Sequence, residues 1–151
     1  MTQVPFDQLS KQYLEEFLEP LGTVQRNLEV PGESKYVDVW FVPTKPLSRW
    51  VQDLGLLGQI IQTPCLLEPF RNAPNRTEIR TCILKLLWIQ EDQRRKGKLQ
   101  VQSRQEHDLP QLWILAAIAT HPVIRDFGGL EQLQWGAGIY HLPVAFNSQF
   151  A

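Results

Sequence analysis

The sequence predicts an α/β (α+β) protein in which a mixed β-sheet is flanked by helices, with the element order αββ(α)βαβ and one extra strand. Three observations predict this class. Residues 36–42 are β-branched and aromatic, which is typical of a buried strand. Residues 75–97 keep the apolar spacing of a long amphipathic helix. Residues 112–119 form a continuous apolar run, which is typical of a central strand covered on both faces.

Length and composition indicate one globular domain over residues 1–151. The net charge of −1 gives no global attraction to nucleic acid or anionic lipid, so any nucleic-acid contact needs a local basic patch. The longest apolar run is too short to cross a bilayer, and the N-terminus lacks the apolar segment of a secretory signal. We therefore expect a cytoplasmic protein with no membrane partner. Cys65 and Cys82 are predicted to be buried free thiols, and no Cys/His spacing fits a zinc site.

The first half of the chain predicts a helix, a hairpin and a short inserted helix. Residues 7–19 form the first helix, with Asp7 as N-cap. Its apolar stripe, expected to face the core, contains Leu9, Tyr13, Phe17 and Leu18. Strands over 23–30 and 36–42 pair antiparallel around a turn at 31–34. A helix that begins at Ser48 and ends before Pro64 then covers part of the sheet or lies beside it as a lid.

The second half of the chain predicts one strand, one long helix and then two further strands. Residues 65–70 form a third strand, which Pro69 either ends or restricts to an edge of the sheet. Asn75 and Glu78 have the spacing of a capping box, and Gly97 is expected to end the long helix. Residues 98–109 form a polar loop, residues 124–127 a helical turn and residues 138–142 a last strand.

Each of two predicted strands contains one embedded carboxylate, Asp38 or Glu68. An ionised carboxylate among apolar neighbours is costly unless it is paired, hydrogen-bonded or bound to a cation. Either residue can simply lie at a solvated strand end or accept a local hydrogen bond. The alternative is that both belong to a metal or catalytic site. Two carboxylates on adjacent strands can hold Mg²⁺, and a third from a packed helix would complete the ligands.

The only basic cluster begins in the last turn of the long helix and contains Arg94, Arg95, Lys96, Lys98 and Arg104. Basic residues in the last helical turn interact favourably with the helix dipole, and this is a sufficient structural reason for the first three. A DNA-binding role towards phosphates is the second interpretation. The three histidines follow no ligand spacing.

Several stretches resemble the PD-(D/E)XK nuclease superfamily, in its transposase-like, recombination-promoting branch, and within it a group of cyanobacterial proteins. The similarity runs from about residue 6 to residue 142 and rests on residues 13–16, 37–41, 66–72, 83–86 and 109–115. It implies a restriction-endonuclease-like sheet, with Asp38 and Glu68 as the metal-binding acids of the second and third strands. Glu16, or alternatively Glu15, would be the helix acid. The implied cofactor is Mg²⁺ or Mn²⁺.

The chain departs from the superfamily pattern at one position. A lysine is expected two residues after the strand-three acid, and Phe70 stands there. Arg71 is adjacent but would point to the other face of a strand. Lys85 or Arg80 could reach in from the following helix, or Gln59 from the inserted one. We expect that neither Lys85 nor Arg80 substitutes well, so that cleavage is weak or absent.

Two functions remain open. The first is a divalent-metal-dependent DNA endonuclease, or a transposase-derived relative, with DNA as partner and Asp38, Glu68, Arg71 and Lys85 as its catalytic residues. The second is a catalytically inactive domain of the same fold that binds proteins or, weakly, DNA. An exposed patch formed by Trp50, Trp88 and Trp135 would favour the second function. A homodimer is compatible with either.

Overall fold

A computed structural model describes residues 3–30, 35–44, 53–99, 109–118 and 121–151, apart from the side chains of residues 3–5 and 97–99. The mixed α/β class is confirmed. The helices and strands, in chain order, are α1 (Gln3–Leu18), β1 (Gly22–Glu29), β2 (Tyr36–Pro43), α2 (Leu56–Ile60), β3 (Cys65–Phe70), α3 (Arg76–Leu99), β4 (Gln111–Ala116), α4 (His121–Asp126), β5 (Leu130–Glu131), β6 (Tyr140–His141) and β7 (Ser148–Phe150).

Within the described residues, the strands form one seven-stranded sheet in the order β1-β2-β3-β4-β7-β6-β5. The pairs β1–β2 and β2–β3 are antiparallel, whereas β4 is parallel to both β3 and β7. Strands β7, β6 and β5 continue the sheet with antiparallel pairing. The predicted order αββ(α)βαβ is thus confirmed. The one extra strand that the sequence predicts becomes three short strands beyond β4.

Two apolar layers cover the two faces of the sheet. Helix α3 packs on one face through Ile79, Cys82, Leu86 and Ile89, against strand residues that include Trp40, Leu66 and Ile114. Helices α1 and α2 cover the other face through Leu14, Leu18, Leu57 and Ile60, against Phe41, Leu67 and Trp113. Alternate residues of β4 enter the two layers, which confirms the prediction of a central strand buried on both sides.

Helix α1 begins earlier than the sequence predicts and is rotated differently. It starts at Gln3, so Asp7 lies inside the helix and is not its N-cap. The predicted stripe is also wrong in part, because Leu9, Tyr13 and Phe17 are about half exposed (50%, 53% and 51%). The helix instead packs through Leu14 and Leu18, which are four residues apart and therefore share one side.

Of the two alternatives for Pro69, the edge position is wrong, since strand β3 lies in the interior of the sheet, whereas the strand does end close to Pro69, at Phe70. The pairing of β3 with β2 covers only Cys65–Leu67, so Pro69 lies beyond the end of that ladder. Its missing N–H therefore removes no hydrogen bond from the β2 side.

Helix α3 begins with the predicted capping box. The backbone N–H of Glu78 donates to Asn75 Oδ1 at 2.8 Å, and the N–H of Asn75 donates to Glu78 Oε1 at 3.0 Å. The helix does not end at Gly97 but continues to Leu99.

Several sequence predictions fall outside the described residues: the turn at 31–34, the start of the inserted helix with Ser48 and Trp50, and most of the loop at 98–109. The described part of that inserted helix is α2. Cys65 and Cys82 are buried free thiols, as predicted. Among the described residues, no helix is both long and apolar enough to span a membrane.

Candidate functional site

Asp38 and Glu68 lie on neighbouring strands, at the point where these strands stop pairing. The last residue pair between β2 and β3 is Val39 with Leu67. Since the strands are antiparallel, Asp38 and Glu68 come next to each other directly after that pair. The Glu68 side chain is buried, with 1% exposed, whereas 25% of the Asp38 side chain is exposed.

The backbone is irregular around Asp38. Val37 packs in the α3 layer and Val39 in the α1 layer, although residues two apart on a regular strand share one face. Asn27, between the register pairs Arg26–Val39 and Leu28–Val37, has a left-handed φ of 55°. A non-glycine residue with positive φ is unfavourable and is often found at functional sites.

Lys85 brings a positive charge from α3 to the acidic pair. Its Nζ lies 2.8 Å from Glu68 Oε1, which is an ion-pair distance, and it donates to the carbonyl oxygen of Tyr36 at 2.9 Å. The side chain is only 12% exposed. A lysine from the next helix thus reaches the third-strand acid, whereas Phe70 stands at the position where a lysine was expected. The expectation that Lys85 would not reach the acid well is therefore corrected.

Lys11 brings a second positive charge from α1, on the other side of the pair. Its Nζ lies 3.3 Å from Asp38 Oδ1 and 3.0 Å from Asp7 Oδ2, and it donates to Asn27 Oδ1 at 2.8 Å. Two acids thus lie between two lysines that come from helices on opposite faces of the sheet.

The pKa of Glu68 is raised well above its usual range. Burial is the main cause, followed by the negative charge of Asp38, which is close enough to share a hydrogen bond, while Lys85 opposes the shift. The pKa of Lys85 is also raised: burial lowers it, but the attraction of Glu68 outweighs burial. Glu68 therefore takes up a proton at a higher pH than an ordinary glutamate does, and a bound cation would oppose that protonation.

A cavity of about 390 Å³ opens beside Asp38, and the buried Glu68 does not line it. Asp38 lines it together with Asp7, Arg71 and Glu78. Arg71 follows the last residue of β3, so strand alternation no longer determines its direction, and it lies in the cavity wall. The apolar parts of the wall come from Phe6, Pro69 and Phe70.

Glu16 does not line this cavity. It is exposed on α1, where its Oε1 accepts a hydrogen bond from Gln12 at 3.1 Å. Glu15 pairs instead with Arg26 at 3.5 Å. The α1 acid that reaches the cavity is Asp7, more than two turns earlier.

The other sequence candidates lie elsewhere. Arg80 stands over the Phe127 ring at 5.9 Å, and Gln59 lines a cavity beside Trp135. Two residues of the basic cluster pair within α3, Arg94 with Glu91 and Lys96 with Asp92.

Along the α3 axis, the basic cluster lies far from the cavity lined by Asp7, Asp38 and Glu78, which we call the acidic cavity. From Glu78 to Arg94 the helix rises roughly 24 Å, at 1.5 Å per residue. Arg95 is exposed at that end, and the Lys98 side chain lies outside the described residues.

Sequence reasoning did not identify Lys11, Asn27 or Asp7 as site residues. Asp7 and Lys11 were detectable in principle, because an acid and a base four residues apart share one side of a helix. Nothing in the sequence indicated that Asn27 is left-handed, since it occupies an ordinary alternating strand position.

In the described part of the chain, no three His, Cys, Asp or Glu side chains form a group able to hold a metal ion. Mg²⁺, however, is commonly bound by one or two carboxylates while its other ligands are water or substrate phosphate. Asp38 and Glu68 supply two neighbouring carboxylates of that kind, and a divalent cation would offset the repulsion by Asp38 that adds to the effect of burial on the pKa of Glu68.

Comparison of the chain with protein-family models, with curated proteins and with solved structures finds no match in any of the three.

Proposed function

We propose that the protein is a divalent-metal-dependent phosphodiesterase that acts on DNA, of the PD-(D/E)XK type that the sequence resembles. The observation that supports it is the group of Asp38, Glu68 and Lys85, in which two strand acids and one lysine come together. That set contains the three chemical functions that this reaction needs: two oxygen ligands for a hard cation and one fixed positive charge.

Asp38 and Glu68 would hold Mg²⁺ or Mn²⁺. When bound, such an ion polarises a phosphate oxygen and lowers the pKa of a bound water. The raised pKa of Glu68 favours its protonated form, whereas a cation binds the carboxylate, so the affinity for the ion should rise with pH.

The remaining groups act on the substrate directly. Lys85 stays charged and offsets negative charge on the attacking water or the phosphate, in place of the lysine that Phe70 replaces. Arg71 in the cavity wall is placed to contact a phosphate of the DNA backbone. Lys11 fixes Asp38, because its Nζ contacts Asp7 and Asn27 as well.

A nicking assay on supercoiled DNA with Mg²⁺ or Mn²⁺ tests this proposal. The wild type is expected to nick the DNA, and Asp38→Asn and Glu68→Gln to abolish nicking. Lys85→Met should lower the rate by about 10²–10³, the usual cost of losing one preorganised group that stabilises developing charge. Glu16→Gln is the matched control, since that acid is exposed and outside the cavity.

The controls distinguish nicking by this site from nicking by a contaminating nuclease, and loss of activity from loss of folding. Nicking that survives in both acid variants would contradict the proposal. If Glu16→Gln impaired nicking as strongly as Glu68→Gln, the helix acid would belong to the site in a form that this structure does not have. Circular dichroism of each variant confirms that it is folded.

One observation favours the alternative of a protein-binding domain. Leu9, Tyr13 and Phe17 follow one another at four-residue spacing and are each about half exposed, with the Tyr13 and Phe17 rings stacked. The tryptophans that would have favoured this alternative as an exposed patch give no such support. Trp88 and Trp135 pack into different layers, and Trp50 lies outside the described residues. A folded protein that neither binds Mn²⁺ nor nicks DNA would make this alternative the better explanation.

A further inference from the structure

A second group of functional side chains lies across three strands at the other end of the sheet. Trp113 on β4 pairs in register with Gln149 on β7, and Gln149 pairs in register with His141 on β6. Residues paired in this way stand side by side about 5 Å apart, so the three side chains form one lateral row. We call this the Trp113–Gln149–His141 row. It lines a cavity of about 640 Å³, and Asp38 and Glu68 do not line that cavity.

Each residue of the row has a buried polar atom without a partner. Within the described residues, Trp113 Nε1, Gln149 Oε1 and His141 Nε2 make no hydrogen bond. Trp113 is also 99% buried, since only 1% of it is exposed. An unsatisfied buried polar group costs about 1–3 kcal/mol, so three in one row require an explanation. A donor and an acceptor are both unpaired, because Nε1–H of tryptophan donates and the amide oxygen of glutamine accepts.

Trp135 covers the row from the loop between β5 and β6. Its ring centroid lies 5.3 Å from that of Trp113 and 5.3 Å from that of His141. Residue Gly136 follows it with a φ of 120°, a backbone conformation that favours glycine. Trp135 also lines a separate cavity of about 420 Å³ with Gln59, Gln62 and Gln134. There is thus space beside the indole into which it can move.

We propose that the Trp113–Gln149–His141 row, under Trp135, is a binding site for a nucleobase. The base takes up the space that Trp135 now covers, and Trp135 moves towards the second cavity. One edge of the base accepts a hydrogen bond from Trp113 Nε1–H and donates one to Gln149 Oε1. Adenine fits, since its ring nitrogens accept and its exocyclic amine donates.

The aromatic side chains around the cavity favour a planar base as its occupant over water molecules alone. Three aromatic rings line the site, and stacking of a base on an aromatic side chain typically contributes about 1–3 kcal/mol. The cavity volume lies within the range of about 300–1,000 Å³ that is common for small-molecule sites. His141 stays neutral near pH 7 because burial lowers its pKa, so Nε2 can accept or donate according to the tautomer. The site does not depend on the acidic pair.

Two-dimensional ¹H–¹⁵N spectra of the full chain test this inference directly. The five tryptophans give five indole N–H signals, and the signal lost in Trp113→Phe identifies Trp113. Adenosine is expected to shift the Trp113 and Trp135 signals in a saturable manner. N6,N6-dimethyladenosine, which has no N–H donor on the amine, should bind about tenfold more weakly. An oligodeoxyadenylate as a third probe distinguishes a free base from a base within a strand.

Variants locate the site. Gln149→Leu keeps the side-chain size but removes the acceptor and should weaken adenosine binding about tenfold, and Trp113→Phe should do the same by removing the donor. Leu133→Ala is the control in the same loop, since Leu133 is 75% exposed, and it should bind like the wild type.

Three results would overturn the inference. The first is the absence of any saturable shift with each of the three probes, which would leave bound water as the partner of the row. The second is equal binding of adenosine and its dimethyl analogue. The third is undiminished binding by Trp113→Phe. The probe comparison needs no variant, so it stands even if Gln149→Leu does not fold.

Discussion

At the scale of single residues, Asp38 and Lys85 have different effects on the stability of the protein. Replacement of Asp38 is expected to have the smaller effect. Its ion-pair partner Lys11 keeps Asp7 at 3.0 Å and Asn27 at 2.8 Å when the Asp38 charge is removed. Its other effect is to raise the pKa of Glu68. Loss of that repulsion offsets the loss of an ion pair that is partly exposed.

We therefore predict that Asp38→Asn changes the free energy of unfolding by less than about 1 kcal/mol in metal-free buffer. Mg²⁺ at a hundred times its Kd should stabilise the wild type by about 2.7 kcal/mol and leave Asp38→Asn unaffected. Urea unfolding with EDTA or with Mg²⁺ measures both effects. A large loss of stability in EDTA would show that Asp38 is a structural hydrogen-bond acceptor and not a cation ligand.

Replacement of Lys85, in contrast to that of Asp38, is expected to destabilise the protein, because it leaves Glu68 buried without a counter-charge. The pKa of Glu68, already raised, rises further in Lys85→Met. A raised pKa in the folded state gives stability that is complete below the unfolded glutamate pKa of about 4.3 and is lost as pH rises through the folded value. The variant should therefore lose more stability than the wild type as pH increases.

The predicted cost of Lys85→Met is about 3 kcal/mol at pH 8, in the range for a broken buried ion pair, and clearly less at pH 4, where Glu68 is protonated. Chemical denaturation at the two pH values measures it. Lys96→Met, at an exposed position of the same helix, should change stability by less than about 0.5 kcal/mol at either pH. A cost independent of pH would mean that Lys85 acts on stability through packing and its bond to the Tyr36 carbonyl alone.

At the scale of elements, α1 illustrates where sequence patterns are ambiguous. The periodicity correctly predicted a helix, but two apolar rows run along it, and only the row of Leu14 and Leu18 faces the sheet. Helical spacing alone does not choose between rows of similar hydrophobicity. By contrast, Asn75 and Glu78 predicted the start of α3 correctly, because a capping box depends on neighbouring residues only.

This rotation of α1 predicts unequal effects at two adjacent positions. Leu18→Ala should cost about 2–5 kcal/mol, since Leu18 is fully buried and its truncation leaves a cavity. Phe17→Ala should cost less than about 1 kcal/mol, because 51% of Phe17 is exposed. Thermal or urea unfolding of the pair tests the rotation. Equal, large losses would place both residues in the core, as the sequence pattern had suggested.

At the scale of the whole molecule, residue composition was sufficient to predict that β1 to β4 are strands. It was not sufficient to predict the three short strands that complete the sheet. Strands β5, β6 and β7 have only two or three residues each, too few to show alternation. The candidate site around Asp38 and Glu68 was likewise predictable only in part. Embedded carboxylates indicated Asp38 and Glu68, whereas the approach of Lys11 and Lys85 depends on how two helices pack on opposite faces.

The charge of the whole chain bears on the proposed binding of DNA. There are 15 basic and 16 acidic residues, so no general field attracts a polyanion. The carboxylates of Asp7, Asp38 and Glu78 line the acidic cavity and repel phosphate there, while Arg71 is in its wall. A divalent cation at Asp38 and Glu68 would reverse the local sign.

We predict that a short DNA duplex binds the wild type at least about tenfold more tightly in Mg²⁺ than in EDTA, which corresponds to about 1.4 kcal/mol. Asp38→Asn should bind it equally weakly in both. With few phosphates contacted, the slope of log K against log [salt] should lie between about −1 and −3. Fluorescence anisotropy at several salt concentrations measures these values, and a gel run on the same samples determines how much of the duplex has been cleaved. Tight binding in EDTA with a steep slope, lost when Arg95 and Lys96 are replaced by glutamine, would instead place DNA at the basic end of α3.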